Sequence, residues 1–274
     1  MAELQKCGDY MIRIGPAGSA GLGNIEGIKN IKKLGLDAME VEFTYGVRMS
    51  DDKAIEIGNL AKTLNISLSV HAPYYINLAS DDKEKQAASK VRILESCKKA
   101  HFLGAKNVVF HAGFYQDKTR EQTFKIIKQQ IKDTLKIIKK NKWNVEISPE
   151  ITGKKSQFGS LDELFRLSKE TNCSMCVDFA HILARNNEIN YSKVFAKLKQ
   201  LKKIHAHFSG IEYTQKGERR HISTKKQVLI PLLEHVIKLK SDITIINESP
   251  DPIKDSLLTK KLLGKILAKG KGRG

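Results

Sequence analysis

Short apolar runs alternate with longer amphipathic stretches along this chain, and the alternation repeats eight times. The runs at 11–15, 38–43, 66–71, 107–111, 144–147, 173–178, 203–208 and 242–247 are rich in β-branched and aromatic residues and nearly continuous. That is the pattern of strands buried on both faces of a parallel sheet. Between the runs the apolar period changes to that of a helix. Over 120–141, Phe124, Ile127, Ile131, Leu135 and Ile138 recur every three or four residues and make one apolar stripe. Thr119 with Gln122, and Ser160 with Glu163, have the spacing of capping boxes at two helix starts.

Eight strand-then-helix units predict an α/β fold, a single (β/α)8 TIM barrel over residues 1–267. Right-handed crossovers place each helix outside a closed parallel sheet. An open doubly wound sheet is the rival, and it needs a Gly-rich phosphate loop after an early strand. The glycines at 15, 18, 21 and 23 do not have the GxGxxG spacing. Residues 268–274 are basic and Gly-rich, and are expected to form a disordered tail.

Composition adds a partner to this picture. Lys and Arg number 48 against 30 Asp and Glu, a formal net charge of +18. Such an excess favours a polyanion such as nucleic acid, although 39 lysines against nine arginines also fit a merely lysine-rich surface. No run of 18 apolar residues and no signal pattern appears, so the expectation is an intracellular, cytoplasmic protein with no membrane partner. Four cysteines, at 7, 97, 173 and 176, are too few and scattered for a disulfide framework. Cys173 and Cys176 form a CxxC, but in a strand that spacing points the two to opposite faces.

In a barrel of this kind chemistry gathers at the C-terminal ends of the strands. There the third strand ends at His71, the fourth at His111, and the fifth runs into Glu150. The sixth ends at Asp178 with His181 just beyond, the seventh carries His207, and the eighth leads to Glu248. His221 lies in the loop after the seventh. Carboxylates converging on one rim repel one another unless cations join them. Imidazole with carboxylate suits zinc, manganese or iron. Three carboxylates and five imidazoles exceed one tetrahedral site and point to a metal site of two or three ions at the C-terminal end of the strands. His205 shares a strand face with His207 but lies one layer lower, so it is left out of the set, as are His101 and His235 in helices.

Taken in order, these residues resemble endonuclease IV, a metal-dependent apurinic/apyrimidinic endonuclease family with a (β/α)8 fold. The resemblance extends from about Met11 to Leu267 and rests on short motifs. They are His71-x-x-Tyr74, His111-Ala-Gly, Glu150-x-Thr-Gly-Lys, Asp178-x-x-His181, His207, Arg-His221-x-Ser and Glu248. It implies a first zinc on His71, His111 and Glu150, and a second on Glu150, Asp178, His207 and Glu248. A third would involve His181 and His221, while Arg48, Tyr74, Arg219 and Arg220 would contact DNA. One departure stands out. The family places an aspartate two residues before the last histidine, where this chain has Arg219. Either the adjacent Glu218 takes that role, or the third site is weakened or lost.

The resemblance implies a zinc-dependent (alternatively manganese-dependent) hydrolase, acting as a monomer, that cuts double-stranded DNA 5′ to abasic sites and leaves a 3′-hydroxyl. Glu150, as the bridging ligand, would be its catalytic residue. A single-metal sugar isomerase or epimerase is the alternative, because Glu150, Asp178, His207 and Glu248 alone would serve it. A non-catalytic nucleic-acid-binding barrel is a third reading, supported by Arg219.

Overall fold

The structure, a computed structural model, describes residues 6–7 and 10–271. Eight parallel strands run β2 (Tyr10–Pro16), β3 (Ala38–Glu42), β4 (Ser67–His71), β5 (Asn107–Phe110), β6 (Glu146–Pro149), β7 (Cys176–Asp178), β8 (Lys203–Phe208) and, after a hairpin, β11 (Asp242–Asn247). A two-residue strand β1 (Lys6–Cys7) pairs antiparallel with β2. Ladders join β3 through β6 in one direction and β7, β8, β11 and β2 in the other. Two parallel bridges, Ala17 with Glu40 and Glu150 with Cys176, close the circle. The expected (β/α)8 barrel is therefore the fold, and the eight expected strands match those observed to within three residues at either end.

Closure at the β2–β3 seam depends on Gly15, where a Cβ would lie 1.8 Å from the Ala38 carbonyl oxygen. No rotamer change relieves a clash with backbone, so any larger residue would push the two strands apart.

The helices are α1 (Asn24–Lys33), α2 (Asp51–Thr63), α3 (Lys83–Leu103), α4 (Arg120–Lys140), α5 (Leu161–Thr171), α6 (Phe179–Asn186), α7 (Tyr191–Leu198), α8 (Lys226–Leu239) and α9 (Pro252–Lys271). Both expected capping boxes form, at Thr119–Gln122 and Ser160–Glu163. Each satisfies otherwise orphaned N–H groups and contributes about 1 kcal/mol. α9 continues to Lys271, into the segment expected to be disordered, because Leu267, Ala268 and Lys269 are good helix formers that extend an already anchored helix. The rest of that expected tail, 272–274, lies outside the described residues.

Register decides which residues share the inside of the barrel. Ile14, Met39, Val70, Phe110, Ile147, Val177, Ala206 and Ile245 are buried on the outward face, where the helices pack. The opposite face is polar. Arg13, Thr244, His205 and Cys176 are register partners around one half, and Glu40 pairs with Ser69 on the other. One layer higher, His71 pairs with Glu42, and Asp178 pairs with His207. The strands thus differ from the nearly continuous apolar expectation. Apolar side chains point out and mostly polar ones point in, and burial of Glu40, Ser69 and His205 is tolerated because they bond to one another.

The segment after β8, expected to be a loop, is a hairpin of β9 (Gly210–Thr214) and β10 (Gly217–Ile222), with a register shift between Glu218 and Arg220. It folds over the C-terminal rim.

Candidate metal centre

The eight expected ligands come together at that rim. His71 ends β4, His111 follows β5, Glu150 follows β6, and Asp178 ends β7 while capping α6. His181 is on α6, His207 on β8, His221 on β10, and Glu248 follows β11. Their donor atoms fall into three groups, each with all atoms within 4.8 Å of one another. They are His71, His111 and Glu150; Glu150, Asp178, His207 and Glu248; and Asp178, His181 and His221.

Glu150 joins the first two groups. Its Oε2 lies 3.3 Å from His71 Nε2 and 2.9 Å from His111 Nε2, while its Oε1 lies 3.0 Å from His207 Nδ1. His207 Nδ1 is also 3.2 Å from Glu248 Oε1. Burial by itself would raise Glu150, but His207, His111 and His181 outweigh it and hold this carboxyl well below the usual range. Burial likewise works against Glu248, yet His207 brings it down to about 2. Asp178 goes the other way, pushed up to about 6 by burial despite His181.

The imidazoles are oriented from behind. His71 Nδ1 donates to the Ala72 carbonyl at 2.7 Å, and His181 Nδ1 donates to the Ile151 carbonyl at 2.8 Å. His221 Nδ1 is 2.8 Å from Ser209 Oγ. Each bond leaves Nε2 facing the centre. Backing of this kind fixes tautomer and ring orientation at metal sites. Asp178 Oδ1 accepts the His181 backbone N–H at 2.7 Å, whereas its Oδ2 is buried with no hydrogen-bond partner. An orphaned carboxylate oxygen among mixed nitrogen and oxygen donors fits zinc or manganese.

Beside the third group stands the carboxylate that the resemblance left open. Glu218 Oε2 lies 3.4 Å from His181 Nε2, and Oε1 lies 3.8 Å from His221 Nε2. The irregularity between Glu218 and Arg220 turns Glu218 inward and leaves Arg219 exposed. A bulge re-aims a side chain in this way. Gly153 makes the approach possible, because a Cβ there would meet Glu218 Cβ at 2.7 Å and His181 Cδ2 at 2.9 Å.

Of the residues expected to touch DNA, Tyr74 lines the cleft and packs its ring 5.0 Å from that of His71. Arg48 is exposed between β3 and α2. Arg219 and Arg220 both bond to Glu212 across the hairpin, each at 2.8 Å. The cleft over the ligands has a volume of about 370 Å³, and Lys154 and Gln157 also line it. The loop holding them is clamped by buried Arg185, which donates to the carbonyls of Thr152, Lys154 and Gln157 and to Tyr115 Oη.

Sequence reasoning passed over the carboxylates of the second barrel strand. Glu40 is fully buried beneath the cluster, and Glu42 faces it with a buried Oε1 that has no hydrogen-bond partner. Burial pushes Glu42 up to about 8, against the pull of His71. Two glutamates at i and i+2 in an otherwise apolar strand were the available signal, since both must point to one face.

Residues 28–257 match the family model described as xylose isomerase-like TIM barrel. The chain belongs to the xylose isomerase-like TIM barrel family. It is 37% identical over 251 residues to an uncharacterised protein of Methanocaldococcus jannaschii, covering 86% of this chain and 90% of that one. It is 28% identical over 199 residues to a probable endonuclease 4 of Mycoplasma mobile, covering 67% of this chain and 69% of the relative. Endonuclease IV from Thermus thermophilus superposes with a TM-score of 0.71 at 18% identity, over 92% of this chain and 99% of the other. D-psicose 3-epimerase from Clostridium cellulolyticum superposes with a TM-score of 0.70 at 12% identity, again over 92% and 99%. Both superpositions concern the fold alone, and one fold hosts unrelated functions.

Proposed function

We propose that this chain is a metal-dependent phosphodiesterase that hydrolyses DNA 5′ to abasic sites and leaves a 3′-hydroxyl. The observation that carries the reading is the third donor group, Asp178, His181 and His221, with Glu218 close to both imidazoles, standing beside the two groups that share Glu150. In this reading His71, His111 and Glu150 hold one ion, and Glu150, Asp178, His207 and Glu248 hold a second. His181, His221 and Glu218 hold a third. Zinc or manganese, when bound, supplies an acidified water and positive charge for phosphoryl oxygens.

The protein side of the work follows from position. Glu150 presents its two oxygens to different imidazoles and so sets the spacing of the first two sites. Lys154 at the cleft places a cation where a phosphate would enter. Tyr74 at the same rim offers a half-exposed ring to an extruded sugar. An abasic nucleotide leaves the helix cheaply, since it has no base to unpair or unstack. The net charge of +18 supports a polyanionic substrate, double-stranded DNA, and predicts cleavage that weakens steeply with salt.

A sugar epimerase is the second reading, favoured by the quartet Glu150, Asp178, His207 and Glu248, which is sufficient for one ion. It leaves His71, His111, His181, His221 and Glu218 without a task. The non-catalytic reading drew on Arg219, and Glu218 beside His181 removes that support.

Incubating the zinc- or manganese-loaded protein with a duplex carrying one abasic analogue tests the proposal. Cleavage on the 5′ side, abolished by Glu150→Gln with the fold retained, is the expected result. Interconversion of a ketose without DNA cleavage would sink it.

A further inference from the structure

Four imidazoles of the centre, those of His71, His111, His181 and His221, turn Nε2 toward it, but His207 is inverted. Its Nδ1 faces Glu150 and Glu248, and its Nε2 points down the barrel axis. There it meets Glu40 Oε1 at 2.9 Å. Both atoms are buried, the contact is an ion pair rather than an aligned hydrogen bond, and neither atom finds a hydrogen-bond partner elsewhere. The second Glu40 oxygen, Oε2, accepts from Ser69 Oγ at 2.7 Å and from His205 Nε2 at 3.0 Å.

The geometry points to Glu40 as a positioning residue of the candidate metal centre, taking the Nε2–H of His207 so that Nδ1 keeps its lone pair for an ion. This rests on the metal-centre proposal above. A neutral imidazole carries one ring proton, and only the bare nitrogen can ligate. The Nε2 side therefore needs an acceptor. Two groups lie there, Glu40 and the thiol of Cys176. A thiol is a weak acceptor, whereas a carboxylate oxygen of Glu40 lies 2.9 Å from Nε2, so the carboxylate takes the role.

Glu40 is in turn held in place. A fully buried carboxylate is costly unless hydrogen bonds satisfy it. Ser69, register partner of Glu40 on β4, and His205 on β8 supply two bonds to Oε2, which leaves Oε1 for the His207 ring at ion-pair distance. The carboxylate also places a negative charge behind the ring, which strengthens its basicity toward a cation on the opposite side.

Zinc competition against a chromogenic chelator tests this, with metal per chain counted by mass spectrometry and the His207 ring followed by ¹⁵N NMR. The zinc-loaded wild type should show His207 as the Nε2–H tautomer. Glu40→Gln should weaken one zinc site about 10–100-fold and broaden or shift that N–H signal. Ser69→Ala, which touches no proposed ligand, should weaken the same site by less. Lower thermal stability with unchanged zinc affinity and an unchanged tautomer would reduce Glu40 to a structural residue and overturn the inference. Failure of the wild type to bind zinc would overturn the metal-centre proposal as well. An ion lost from Cys176→Ala or His205→Ala, with the His207 N–H absent in the wild type, would mean that this lower layer itself holds a metal, again overturning it.

Discussion

The Glu218 carboxylate lies 3.4 Å from His181 Nε2, on the ring nitrogen left free by the bond from His181 Nδ1 to the Ile151 carbonyl. Arg219, next in the chain, points away and pairs with Glu212. In the proposed reading, the acidic position that the resemblance places at residue 219 is filled by its neighbour, which a bulge in the hairpin turns inward.

Glu218→Gln should therefore lower metal content by close to one ion per chain and cut activity at least tenfold, of the order seen when one ligand is lost. Arg219→Ala should leave metal content unchanged. Metal analysis of the two variants side by side checks this, and equal losses would argue against the assignment.

Gly153→Ala is predicted to act like a ligand mutation without altering a ligand. Its new Cβ would fall 2.7 Å from Glu218 Cβ and 2.9 Å from His181 Cδ2, so the hairpin must retreat. Loss of the same ion as in Glu218→Gln, with a melting temperature close to wild type, is the expected outcome.

pH should move the stripped and the loaded protein in opposite directions. Burial opposes protonation of His71, but Glu150 and Glu42 outweigh it and push the imidazole up to about 10. Glu42 is raised to about 8. A group with a raised folded pKa contributes stability below its unfolded value, and that stability is lost as pH rises through the folded one. Chelator-treated protein should accordingly lose stability from pH 6 to pH 9. Metal uptake must displace these protons, so zinc affinity should rise over the same interval. Thermal melts with and without zinc at several pH values check both slopes.

Arg185→Leu should destabilise the chain by about 3 kcal/mol, because the buried carbonyls of Thr152 and Gln157 would lose their donor. The same loop carries Gly153 and Lys154 at the cleft. Denaturant unfolding measures the stability, and faster amide exchange over 152–157 would locate the loosened segment.

Much of this was legible in the residues alone. Eight apolar runs with helical stretches between them encode eight strand–helix units, since strand and helix periods depend on local spacing. The caps at Thr119 and Ser160 are likewise local, set by side chains three residues apart. The eight rim residues could be named because a barrel sends the end of every strand to one place. What proximity along the chain could not decide was which polar side chains meet. Glu40 sits far from His205 and His207 in sequence, and only closure of the barrel brings its carboxylate within 3.0 Å of both. The choice of Glu218 over Arg219 was also tertiary, made by a bulge in one hairpin and by the missing side chain of Gly153 on another loop. Local spacing determines the elements, whereas contacts between distant residues depend on register and packing around a closed sheet.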